Sequence, residues 1–149
     1  AHQGLQEYQA PVEYGRSEII RKGKKIAVLG VGSMIPSCME ICKGLKDDGY
    51  DPTFVNARFV KPLDVDLLDE LAKDHSLFVT VEENVKSGGY GEHVSAYMEA
   101  CHPEIRVLSA AVWDRFVPQG NVESLRSRIG LGVEDIRQAI EDSEELREQ

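Results

Sequence analysis

Two nearly continuous apolar runs, Ile26-Ala27-Val28-Leu29 and Leu77-Phe78-Val79-Thr80-Val81, stand out against segments whose apolar residues recur at helical spacing. Such runs lack the in–out alternation of a half-exposed strand, so they mark strands covered on both faces. The pattern predicts strands over Lys25–Gly30, Thr53–Asn56, Leu77–Val81 and Ile105–Leu108. Between them, Met39, Cys42 and Leu45, with Ile41 beside them, form the inward stripe of a helix that Gly49 stops. Leu67, Leu68 and Leu71 mark a second helix, and Val94, Tyr97 or Met98, and Cys101 a third. Ser33 is placed to cap the first, with Pro36 in its opening turn, and Asp64 to cap the second. Upstream, Val12–Ile20 holds short extended patches followed by a turn at Arg21–Lys24. One of those patches is expected to fold back beside the Lys25–Gly30 strand as an antiparallel edge. The last helices are predicted over Asn121–Arg128 and Val133 to about Leu146, the latter with Ile136 and Ile140 inward and a strongly acidic outer face.

Strands that alternate with helices pair in parallel through right-handed crossovers, which place the helices on the two faces of the sheet. The expected fold is therefore α/β, a three-layer αβα sandwich with a mostly parallel central sheet and an antiparallel edge strand. At 149 residues and 42% hydrophobic, the chain suits one core better than two. Residues 12–149 are assigned to that domain, and 1–11, a polar stretch without an initiating methionine, to a leader or interdomain linker.

Charge narrows the function classes. Twenty-six acidic residues against 17 basic ones give a net charge of -9, which disfavours a surface for nucleic acid phosphates or anionic lipid. No apolar run approaches the roughly 18–20 residues that cross a bilayer, and a reducing, cytoplasmic setting is expected for the three cysteines, which include no CxxC. Cys38, Cys42 and Cys101 are taken as free, packed thiols, and no metal is assigned.

Candidate chemistry is sparse. Gly30-Val31-Gly32-Ser33 follows a strand and enters a helix, yet a dinucleotide fingerprint would need a glycine where Ile35 stands, so a tight strand-to-helix turn is the favoured reading. Glu82 and Glu83 lie just past a core strand, where ligand-facing groups are common, but neighbours on a strand point to opposite faces. Interface or structural use is favoured over acid–base work. His93, one turn into a helix, has no partner at metal-ligand spacing, and no serine or cysteine carries a nucleophile signature. Two loops are denser than ordinary connections: Asn56-Ala57-Arg58-Phe59-Val60-Lys61-Pro62-Leu63-Asp64 and Trp113-Asp114-Arg115-Phe116-Val117-Pro118. In the first, Arg58 suits an internal ion pair, an interface contact or an anion. The pair of loops suggests a contact surface rather than a small-molecule pocket.

Together these motifs, with Val79-Thr80-Val81-Glu82-Glu83-Asn84 and Gly88-Gly89-Tyr90-Gly91, resemble the C-terminal domain of 1-deoxy-D-xylulose-5-phosphate synthase, among the transketolase-like thiamine-diphosphate enzymes. The resemblance runs from about Pro11 through Gly132. It implies a full enzyme that condenses pyruvate with glyceraldehyde 3-phosphate, releasing CO2, with thiamine diphosphate and Mg2+ held mainly by two preceding domains. It implies that this module is non-catalytic, binds no cofactor itself, and partners those domains and the second subunit of a homodimer. Arg58, Lys61, Glu82, Glu83, Asp114, Arg115 and Phe116 are the candidates for interdomain or dimer-supporting contacts. Where relatives carry a histidine after the Asp-Arg-Phe segment, this chain has Gln119, so a proton-transfer or phosphate role there is not carried over. The alternatives are the C-terminal domain of a transketolase or of a 2-oxo acid dehydrogenase beta subunit, or a stand-alone interaction module.

Overall fold

The Ile26–Leu29 run sits at the middle of strand β2 (Lys25–Gly30), with every side chain from Ile26 to Leu29 buried. It is flanked on one side by β3 (Thr53–Asn56) and on the other by β4 (His75–Glu83), both parallel to it. A computed structural model describes residues 16–58, 63–83, 89–112 and 132–148, within which the sheet is completed by β5 (Arg106–Val112), parallel to β4, and β1 (Glu18–Arg21), antiparallel to β3. The strand order is β1-β3-β2-β4-β5. The antiparallel edge thus pairs with β3 and not, as the sequence suggested, with β2. Both flanks of β2 are already taken by parallel neighbours, which leaves β3 as the open margin. A bulge interrupts the β1 register between Ile19 and Arg21.

Four helices cover the described sheet: α1 (Ile35–Asp47), α2 (Val65–Ala72), α3 (Tyr90–Cys101) and α4 (Val133–Glu148). Alternate residues of each strand feed the two faces. Ile26, Val28, Leu77, Val79 and Val81 pack with α1 and α4; Ala27, Leu29, Val55 and Phe78 pack with α2 and α3. This is the three-layer αβα arrangement, with two cores separated by one sheet. Burying a side chain of this size is worth roughly 1.5–3 kcal/mol, so the strands that feed both layers dominate stability.

Local differences from the sequence pattern have simple causes. The N-cap of α1 is Met34 rather than Ser33, because Gly32–Met34 first forms a 3₁₀ turn. The inward stripe of α1 is Cys38, Ile41, Cys42 and Leu45, which leaves Met39 57% exposed, since it lies about 100° around the helix from Cys38. Leu67 is half-buried, and Cys101, on the final turn of α3, is exposed. β5 continues past Leu108 because the small residues Ser109–Ala111 keep pairing with Thr80–Glu82. Ile136 and Ile140 face inward from α4 as expected, whereas the region of the predicted Asn121–Arg128 helix lies outside the described residues.

At the amino-terminal edge of the sheet a buried polar chain ties the β1–β2 turn, β3 and β4 to α2. The Gly23 amide donates to Thr53 Oγ1 at 2.8 Å, and Thr53 Oγ1 lies 2.7 Å from His75 Nε2. His75 Nδ1 lies 2.9 Å from the Leu71 carbonyl and 2.6 Å from Asp74 Oδ1, both acceptors, so Nδ1 carries a proton.

Candidate functional site

In open α/β sheets ligands gather at the carboxyl ends of the strands, where neighbouring crossovers leave for opposite faces. Here that point lies between β2, whose helix α1 covers one face, and β4, whose helix α3 covers the other. The residues around it decide what it can hold.

The turn after β2 is closed tightly. A side chain at Gly30 would place its first carbon 2.5 Å from Cys38 Sγ, and Gly32 takes a left-handed φ of +55°. The Val31 amide bonds the Val81 carbonyl at 3.2 Å. Gly30 therefore serves close helix–strand packing, and Gly32 the left-handed turn.

Glu82 and Glu83 diverge as strand neighbours must. Glu83 is exposed. Glu82 turns toward α3, where its two carboxylate oxygens accept from the Tyr90 amide at 3.0 Å and the Gly91 amide at 2.8 Å. Those amides are orphan donors of the first helical turn, and a carboxylate there also meets the positive end of the helix dipole. Gly91 is what allows the approach: a first side-chain carbon there would lie 2.7 Å from Glu82 Oε2, 2.8 Å from Thr80 Oγ1 and 3.0 Å from Ser109 Oγ. Glu82 and the Tyr90–Gly91 step are thus halves of one helix cap. Thr80 Oγ1 and His93 Nε2 are buried without a hydrogen-bond partner among the described residues.

On the β3 side, Arg58 adopts a left-handed φ of +61°, its amide donates to Asn56 Oδ1 at 3.1 Å, and its guanidinium reaches Glu18 Oε1 at 2.7 Å. Of the three uses that the sequence left open for Arg58, this is an internal ion pair. Asp64 caps α2 as expected, accepting from the Leu67 amide at 3.2 Å. Tyr90 lies between the two devices; burial first, and then the charges of Asp64 and Glu82, push its phenol well above the ordinary value. Lys61, Asp114, Arg115, Phe116 and Gln119 lie outside the described residues.

A cluster without any sequence signal joins α2 to α3. Asp69 Oδ1 accepts from Tyr97 Oη at 2.7 Å and lies 2.7 Å from His102 Nε2. The bond to His102, then that to Tyr97, holds the Asp69 carboxyl below its usual range. Among the described residues no group of three or more His, Cys, Asp or Glu could hold a metal ion, and no helix is long and apolar enough to cross a membrane.

The cysteines divide sharply. Burial pushes the Cys38 thiol far up and that of Cys42 up to about 12, whereas Cys101 is exposed. The thiolate is the reactive form, so an aromatic disulfide reagent should titrate Cys101 at once and reach Cys38 and Cys42 only on denaturation. Immediate reaction of all three would show that the α1 core is open.

Residues 15–136 match the family model described as transketolase, C-terminal domain. The chain is 39% identical over 137 residues to the 1-deoxy-D-xylulose-5-phosphate synthase of Lachnoclostridium phytofermentans, covering 91% of this chain and 22% of that protein. The synthase of Dictyoglomus thermophilum is also 39% identical, with 92% of this chain and 22% of that protein covered. Among solved structures, a split-gene transketolase described as an inactive beta4 tetramer superposes with a TM-score of 0.72 at 29% identity, covering 90% of this chain and 43% of that one. The chain therefore spans about a fifth of the length of these curated relatives, 22% in both cases.

Proposed function

The chain belongs to the transketolase C-terminal domain family, and from that membership we propose that it serves as the C-terminal module of a 1-deoxy-D-xylulose-5-phosphate synthase. The observation that carries this reading is the 39% identity to two synthases over more than nine-tenths of the chain, against 29% to the split transketolase. In this reading the whole enzyme joins pyruvate to glyceraldehyde 3-phosphate in the cytoplasm, releasing CO2 and forming 1-deoxy-D-xylulose 5-phosphate. Thiamine diphosphate supplies the carbanion chemistry when bound, with Mg2+ on its diphosphate.

The described residues support a structural use of the strand-end carboxylate rather than a cofactor contact. Glu82, the carboxylate nearest the strand-end crevice, has each oxygen on an α3 amide, the geometry of a helix cap. This supports a module that packs beside the cofactor-bearing parts of the enzyme and helps hold its two subunits together. Glu83, exposed at the end of β4, is the described candidate best placed to reach a neighbouring domain. Lys61, Asp114, Arg115 and Phe116 remain candidates by their motifs alone.

A decarboxylative condensation assay tests the reading. The isolated chain is expected to give no thiamine-dependent turnover of pyruvate with glyceraldehyde 3-phosphate, and the full-length protein to give it. Turnover by the isolated chain would overturn the non-catalytic assignment. A full-length protein that transferred ketol groups from a sugar phosphate and ignored pyruvate would place the module in a transketolase.

A further inference from the structure

The first residues the structure describes, Arg16, Ser17 and Glu18, are each fastened to residues flanking the connection between β3 and α2. Asp64 Oδ2 accepts from the Ser17 amide at 2.7 Å, and Oδ1 lies 3.2 Å from Arg16 Nη1. Ser17 Oγ donates to the Ala57 carbonyl at 3.0 Å, and Arg58 Nη2 reaches Glu18 Oε1 at 2.7 Å.

A helix cap alone needs one acceptor oxygen, and Asp64 supplies that to Leu67 with Oδ1. Its second oxygen is turned to a residue 47 positions away in the chain, on a side chain only 8% exposed. Arg58, for its part, holds a left-handed conformation that a side chain rarely adopts, and from it reaches the neighbouring residue Glu18. Ties on three consecutive residues fix the direction of the chain as well as its position.

We propose that Ala57, Arg58 and Asp64 form a clasp on the entering chain, and that Asp64 is a positioning residue that sets how this domain is carried by the preceding part of the enzyme. The proposal rests on the C-terminal-module reading. If the synthase relatives are the right guide, with 22% of their length matched here by a family described as C-terminal, about four-fifths of the enzyme is joined to this domain through this corner.

Asp64→Asn separates the clasp from the cap. Asparagine is as good an N-cap as aspartate, so it keeps a carbonyl oxygen for the Leu67 amide. Its other atom becomes a donor facing the Ser17 amide, while Arg16 loses one of its two carboxylates and keeps Asp66, 3.0 Å away. In the full-length protein, amide hydrogen exchange at Ser17 should rise about tenfold while the α2 amides keep their protection. A spin label on Cys101, paired with one in the preceding region and with other reactive cysteines replaced, should show a broadened distance distribution. Neither readout depends on which reaction the enzyme performs; the condensation assay on the unaltered protein judges that separately. Unchanged exchange at Ser17 would overturn the clasp, and raised exchange with an unchanged distribution would overturn the positioning role. Should Asp64→Asn also loosen α2, Arg58→Gly carries the same test. It keeps the left-handed backbone and removes only the tie to Glu18, so an unbroadened distribution there overturns the proposal.

Discussion

Gly23→Ala is expected to destabilise the domain by about 3 kcal/mol, at the upper end of ordinary overpacking costs. A first side-chain carbon at this position would lie 2.2 Å from the Asp51 carbonyl oxygen and 2.6 Å from both the carbon and the oxygen of the Pro52 carbonyl. These are backbone atoms and cannot rotate away. The Asp51 carbonyl is also held by the Lys24 amide at 2.7 Å, so moving it breaks a further bond. Displacing Gly23 then withdraws its amide from Thr53, which underlies His75. Urea unfolding followed by circular dichroism gives the measurement. A loss below about 0.5 kcal/mol, the range of an ordinary surface substitution, would show that the β1–β3 margin yields freely.

The second large effect is expected at the α3 cap. Glu82→Ala should cost about 2 kcal/mol, because it strips the acceptor from two first-turn amides at once. Gly91→Ala should cost a similar amount by another route: its new carbon would force Glu82, Thr80 or Ser109 aside, and Glu82 has the longest and most movable side chain of the three. If displacement of Glu82 is the common outcome, the double variant loses clearly less than the sum of the single changes. Strict additivity would mean that the glycine is needed for Thr80 and Ser109 alone, and that the carboxylate cap stands independently.

Legibility from sequence followed the physics of each element. Lys25–Gly30 and Thr53–Asn56 match their strands end to end, because strands covered on both faces write themselves as apolar runs bounded by turn residues. Asp64 was readable as a cap for the same kind of local reason: it lies three residues before the amide it accepts from. What the sequence could not reveal was where polar side chains go once the chain is folded. Glu82 meets amides eight and nine residues away across a glycine-rich connection, and Asp69 meets partners 28 and 33 residues away. Such pairings have no period. Arg58 is intermediate: its chemistry suggested an ion pair, but Glu18, 40 residues earlier, could be found only in three dimensions.

The short bulged strand at the margin of the sheet also bears on solubility. β3 carries Phe54 and Val55, and without β1 its row of backbone donors and acceptors would be open to another chain. A four-residue strand with a kink between Ile19 and Arg21 closes that row while offering a poor template of its own. Loosening β1 therefore threatens self-association before it threatens the core, and a version of this domain trimmed to begin after Lys22 would tend to precipitate even with its parallel strands intact.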